Sequence, residues 1–585
     1  MSGLGSILDI GKEALLAQKY AIDVVSHNIS NVNTPGYTRQ SPTLMAKDAA
    51  PYAGVMLGRG VTIDEVIQNA DSFIEARLRE RQTLLTAMSE EEVYLSALES
   101  IFNENSGRSL TAQLTDFWNS WEDLSNNPSG MPERNILYER GAFLAETFQE
   151  LYGDMNEVLA EINNVITTGV DKINTLLSNI ADLNQQIIQI EVTGNANDLR
   201  DQRSSALTQL AEYMDVKSYE HEDGNLTVTT GRGYILVSRA DAYPLDVDGD
   251  DIIWRGSGTS KVTITDMIAG GKLGGWLEVR DHYIPEYKAD LDSLAGTVIW
   301  EINKVHSLGA GLEGFSSVTG TYASSAPGVA MGTAASGLSY YNSIQDGSFK
   351  VWLYDADGNV VDPAGHTITI DADADTLADL VDPASALNSI DPAHLTASES
   401  GGKLTITASG GYTFGFSSDT SNVLAALGIN TFFTGSSAND IGVNELLNSN
   451  KVLIAAGRVS DAGEIAAGDN TNALALVELQ DERFSIQRWT YERGSAATST
   501  NETGTLESYL QSFIGSIGID SQSIQRARQF NAVIVQELSE TRDNISAVSL
   551  DEEMTNLIKY QQAYAAAAKL ITTAGEMIDT ILETV

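Results

Sequence analysis

Both ends of this chain carry an apolar stripe with a seven-residue repeat, and such a stripe is either buried along a helix or left as a hydrophobic seam in water. At the N-terminus Leu4, Leu8, Gly11, Leu15, Gln18, Ile22, Val25 and Ile29 follow alternating four- and three-residue steps, the spacing of one side of a coiled-coil helix. At the C-terminus Met554, Leu557, Gln561, Tyr564, Ala568, Ile571, Gly575, Ile578 and Leu582 repeat it. Ser549 with Glu552 three residues on reads as a capping box that opens the last helix. The two seams can pair with each other, with copies of themselves, or with both. Their candidate assembly residues are Leu4, Leu8, Leu15, Ile22, Val25 and Ile29, with Leu557, Tyr564, Ile571, Ile578 and Leu582.

The first stripe runs into Ser26-His27-Asn28-Ile29-Ser30-Asn31-Val32-Asn33-Thr34-Pro35-Gly36-Tyr37-Thr38-Arg39-Gln40, which reads as a helix exit. Asn28, Ser30, Asn31 and Asn33 bond their own backbone and favour turns. Pro35 pushes Thr34 out of the helical region, and Pro35-Gly36 suits the centre of a type II turn. Tyr37, Thr38, Arg39 and Gln40 then emerge in an extended segment, where Tyr37 and Arg39 are expected to reach a neighbouring subunit. His27 has no second His or Cys nearby and is expected to pack or hydrogen-bond.

This string resembles the N-terminal signature of the bacterial flagellar axial proteins, the rod, hook and hook-associated family, and its GYTRQ ending is similar to the hook-associated version. Ser549 to Leu582 resembles the matching C-terminal signature. Thr376 to Leu380, Gly401 to Ala438 and the following IGVN resemble interior segments of hook-associated members, which rod proteins lack. The resemblance implies a structural subunit that joins hook to filament by self-assembly of its terminal helices. It also implies partners: copies of the chain, the hook protein, the distal hook-filament junction protein, and an export chaperone on the C-terminal helix. Its implied location is the extracellular flagellum, reached through the flagellum's own export apparatus without a cleaved signal peptide.

With 80 acidic and 35 basic residues the formal charge is -45, which repels nucleic acid and anionic membranes. There is no cysteine, so disulfides, thiolate metal sites and Cys nucleophiles are excluded. No cationic start with an apolar core and no bilayer-length apolar run is present, and membrane insertion is not expected. Asp246–Asp251 and Asp371–Asp375 resemble calcium-loop starts, but the positions of the required Gly and Glu are wrong. Gly270-Gly271-Lys272 and Gly401-Gly402-Lys403 lack the rest of a phosphate loop. No catalytic constellation, metal site or cofactor site is expected.

The expected fold class is α+β and multi-domain: terminal coiled-coil helices, a long-helix bundle, and inserted β-rich outer domains. The chain is read as an N-terminal axial helix and extended motif segment (1–62), the first part of a helical bundle (63–215), a β-rich segment (216–276) and a returning helix (277–308). An inserted β-rich outer domain (309–440), the second part of the bundle (441–548) and a C-terminal axial helix (549–585) complete it. Ile63 to Leu124 is read as mainly helical, and Lys350–Tyr354 with Val360-Val361 as a hairpin. The alternatives are a hook or distal-rod subunit, or a secreted acidic adhesin or enzyme.

Overall fold

A computed structural model describes residues 2–52, 55–102, 109–192, 194–382 and 387–584. The architecture is α+β, with long helices and several small antiparallel sheets. Two compact units share the chain: the first gathers Met1–Val93, Ile162–Val279 and Gln522–Val585, the second Tyr94–Glu161 and Arg280–Ser521. Neither unit is continuous in sequence.

In the first unit the N-terminal helix Ser2–Ser30 packs on the C-terminal helix Leu550–Thr584. Strands Gln40–Ala46 and Val61–Gln68 pair antiparallel, with a register shift between Thr43 and Leu44, and lie against the N-terminal helix. Lys47 bonds Glu13 there at 3.0 Å. Val61–Gln68 corrects the reading of Ile63 as the start of a helix: that helix opens at Ser72. The β-rich stretch after the helix Asn197–Tyr213 is a four-stranded meander followed by a three-stranded sheet. Trp276 seals this unit by lying on Gly169, where a Cβ would come within 2.5 Å of the indole.

In the second unit the helix Leu110–Asn126 turns Phe117, Trp118 and Trp121 inward, where Phe117 meets Phe432 and Phe433 and Trp121 meets Phe432 and His306. Gly141 gives Phe432 its room, because a Cβ would stand 2.5 Å from the ring. Two three-stranded sheets follow, Ser317–Thr319/Lys403–Ala408/Leu395–Ser400 and His366–Ile370/Gly347–Tyr354/Thr413–Ser417. The turn at Asp355–Asn359 closes as expected, with Asp355 N–H donating to the Asn359 carbonyl at 2.9 Å. The expected hairpin is nevertheless a minor feature: Gly347–Tyr354 pairs along its length with His366–Ile370 and Thr413–Ser417. Within 441–548 the long helix runs from Leu506 to Ser546. Before it, Phe484–Thr490 and Thr498–Gly504 form an antiparallel hairpin.

His306 is fully enclosed in this core. Its Nδ1–H donates to the Asn430 carbonyl at 2.8 Å, and its Nε2 accepts the Ala455 N–H at 3.0 Å, so the neutral ring is satisfied on both sides. A second proton would cost the acceptor. Burial accordingly pushes its pKa down from 6.5 to about 4. Below pH 6.5 the unfolded chain takes up a proton that the folded unit refuses, so stability falls as pH drops from 6.5 towards 4, by ~3 kcal/mol for this group. Calorimetry across that range should show the second unit melting progressively lower. His306→Gln should flatten the slope, and an unchanged slope would remove His306 as its cause.

Candidate functional site

The terminal helices run antiparallel: Asn28 meets Glu553 at one end, and Gly11 meets Leu570 and Ile571 towards the other. A Cβ at Gly11 would lie 2.7 Å from Ile571 Cγ1, so only glycine permits this approach. On the N-terminal helix Gly11, Ala17, Ala21, Val24, Val25 and Asn28 are buried, and on the C-terminal helix Glu553, Ala567 and Ala574. Small residues close the seam. Of the expected interface residues Val25 is buried; Leu8, Leu15, Ile22, Ile29, Leu557, Ile571 and Ile578 are half-buried; Tyr564 and Leu582 are exposed. The side chain of Leu4 lies outside the described residues.

The large apolar side chains of the C-terminal helix mostly face out. Met554 is 57% exposed, Ile558 53%, Met577 51% and Leu582 64%, with Leu550, Leu570 and Ile581 above 40%. Leu16 and Tyr20 do the same on the N-terminal helix. Most of the deeply buried apolar residues of the pair are small, while several of its largest apolar side chains are exposed.

The motif forms a clasp across this pair. Thr34-Pro35-Gly36-Tyr37 makes the expected turn, with Tyr37 N–H donating to the Thr34 carbonyl at 3.2 Å and Gly36 at φ +77°. That turn folds Tyr37 back on the helix it has left, so its hydroxyl donates to Asn28 Oδ1 at 2.8 Å and lies 3.1 Å from His27 Nδ1. Gln40 N–H donates to the same Asn28 Oδ1 at 3.0 Å, while Asn28 Nδ2 donates to the Gln40 carbonyl at 2.8 Å and to Glu553 Oε2 at 2.9 Å. Arg39 Nε donates to Glu553 Oε1 at 2.9 Å, its other arm to Glu552 at 2.7 Å, and its backbone N–H to the Ser546 carbonyl at 2.9 Å. Asn31 Nδ2 reaches the His27 carbonyl, Thr34 Oγ1 the Asn31 amide oxygen, and Ser30 Oγ the Ser26 carbonyl. Tyr37 and Arg39 therefore make these bonds inside their own chain. Glu552 is likewise turned to Arg39, where the sequence suggests a capping box.

The same segment is tied to the helix Asn197–Tyr213. Gln40 Nε2 donates to Asp198 at 2.9 Å, and Asp201 accepts Thr38 N–H at 3.0 Å and the Gln68 amide at 2.7 Å. Burial holds the Asp201 carboxyl up, at about 6. The folded unit thus binds a proton there before the unfolded chain does, and this group favours folding as pH falls through 6. Burial, with Asp198, Asp201 and Glu553 facing it, also raises the Tyr37 hydroxyl, which stays a proton donor. Glu553 is the member sequence reasoning missed; a lone Glu in an acidic first turn reads as a favourable charge at a helix N-terminus.

Among the described residues no three His, Cys, Asp or Glu side chains are grouped to hold a metal ion, and no helix is long and apolar enough to cross a membrane. The Asp246–Asp251 stretch is a strand-turn-strand, and Asp371–Asp375 closes on itself with Asp371 N–H donating to Asp375.

Comparison with known proteins gives matches among flagellar proteins. Residues 95–320 match the flagellar hook-associated protein FlgK helical domain, residues 540–584 the flagellar basal body rod FlgEFG protein C-terminal domain, and residues 8–38 the flagella basal body rod protein family. Flagellar hook-associated protein 1 of Bacillus subtilis (strain 168) is 26% identical, over 98% of this chain and 97% of its own length. That of Escherichia coli (strain K12) is 24% identical, over 99% and 100%. A solved structure described as the flagellar hook junction protein FlgK from Burkholderia pseudomallei is similar at TM-score 0.49 and 17% identity, covering 81% of this chain and 100% of that one. Along nearly its whole length the chain is similar to flagellar hook-associated protein 1, and these matches support a structural role in the bacterial flagellum.

Proposed function

We propose that the chain works as a junction subunit that links hook to filament through its terminal helices, by assembly and without turnover. One observation carries the reading: the terminal pair leaves Met554, Ile558, Met577, Leu582, Leu16 and Tyr20 in water although its sequence pattern is that of a buried helix. Covering a half-exposed Leu, Ile or Met yields about 1 kcal/mol each at ~25 cal/mol per Å², so neighbouring copies that cover this set gain enough to offset ordering a few residues. The surface uncovered in the single chain is thus the surface a stack of copies would hide. The hook protein and the distal hook-filament junction protein would bound that stack. A chaperone on the C-terminal helix would shield the same side chains before export through the flagellar apparatus.

The test is electron microscopy of cells lacking the gene, with flagellin assayed in the medium. Bare hooks with flagellin released into the medium are expected. Intact filaments would overturn the reading, and missing hooks would move the subunit to the hook or rod.

A further inference from the structure

A buried carboxylate is a poor way to stabilise a two-helix seam, since desolvating it offsets much of what its partners return. Glu553 is nonetheless 1% exposed. The rest of the seam explains what it can supply. Ala567 and Ala574 are seven apart, as are Leu557, Tyr564, Ile571 and Ile578, so sliding one helix by a heptad exchanges like for like. Opposite Gly11, Ile571 would give way to Ile578 or Tyr564. Apolar contact alone barely distinguishes these registers.

Glu553 does distinguish them. Its Oε1 takes Arg39 Nε and its Oε2 takes Asn28 Nδ2. Both donors are held from behind: Asn28 by the Tyr37 hydroxyl and the Gln40 backbone, Arg39 by the Ser546 carbonyl and Glu552. A slide of one heptad in one direction brings Tyr560 to that place, and in the other it runs past the start of the helix at Leu550, so neither register offers the guanidinium a carboxylate there. We propose that Glu553 is a positioning residue that fixes the register of the terminal helices, with Asn28 and Arg39 as the receiving clamp. This deepens the reading of those helices as the assembly elements: register decides which apolar side chains the pair offers outward, and so whether successive copies present the same surface. A single buried polar group specifying register at some cost in stability has precedent in coiled coils.

The chain has no cysteine, so engineered pairs report register directly. In the full-length chain in solution, Gly11→Cys with Ile571→Cys reports the register seen here, the two positions being in contact and within disulfide reach. Gly11→Cys and Ile571→Ala with Ile578→Cys, or with Tyr564→Cys, reports a slide, the alanine removing the Cγ1 that a Cβ at position 11 would meet. Under mild oxidation only the first pair should close within a single chain. Adding Glu553→Leu should raise closure of the slid pairs about tenfold. Because a lone Arg39 could unfold the region, Arg39→Met with Glu553→Met is the second variant; it should keep its helical circular dichroism and still close the slid pairs. Closure confined to Gly11 and Ile571 in both variants would overturn the proposal, as would no closure of that pair in the parent. The readout is intramolecular and needs no hook or filament, so it stands or falls separately from the junction reading.

Discussion

The Ile571→Asp variant should lose its terminal helix pair and its incorporation at the hook tip while the second unit melts as in the parent. Ile571 is half-buried with its Cγ1 packed on Gly11, so an aspartate there is partly desolvated without a partner, at a cost of about 1–3 kcal/mol. The pair has little to set against that loss, because among the described residues of the C-terminal helix only Glu553, Ala567 and Ala574 are deeply buried. None of the residues of the second unit is altered. Circular dichroism should lose the helical signal of two long segments, calorimetry should retain the second unit's transition, and electron microscopy should find hooks without this subunit. Full helicity with normal incorporation would show that the seam does not drive assembly.

The largest effect on the second unit is expected from Arg134→Ala. Arg134 is 1% exposed, and its partners are backbone carbonyls: Ile454 at 2.5 Å, Pro128 at 2.7 Å, Val452 at 3.4 Å and Lys451 at 3.5 Å. Burial pulls its pKa down to about 10, still high enough to keep the charge at neutral pH. One guanidinium therefore ties the start of the helix Met131–Ile190 to the segment 451–454. Truncation leaves those carbonyls without a donor and opens a hole, costing about 3–5 kcal/mol and lowering the transition by roughly 10 °C. Arg134→Lys should fall between, since an ammonium cannot fork to both sides. A shift of under ~2 °C for the alanine variant would mean that water replaces the guanidinium at little cost.

The long helices were legible because a seven-residue stripe survives any tertiary context, and the turn at Pro35-Gly36 because local sterics dictate it. What was not legible depended on distance or on missing contrast. Asn28 and Glu553 are 525 positions apart, and nothing local marks them as partners. The most deeply buried part of the seam includes Gly11, Ala17, Ala21, Ala567 and Ala574, whereas a search for large apolar residues selects side chains that are mostly half-buried. Thr498–Gly504 is almost entirely exposed, so it lacks the alternation that betrays a half-buried strand. The strand residues from Ile63 to Gln68 were absorbed into the following helix because Ile63, Val66 and Ile67 fit either period over so short a run.

The first unit takes its pieces from the beginning, the middle and the end of the chain, residues 1–93, 162–279 and 522–585. Time therefore enters its folding. A ribosome, or a narrow duct that releases the polypeptide one end first, delivers material that cannot finish this unit until the opposite end has also emerged. Arg39 and Asn28 wait for Glu553, and closing a loop of that length is entropically costly and slow. Until the last helix is free, the molecule in transit is unfinished and has no completed surface on which a premature stack could grow.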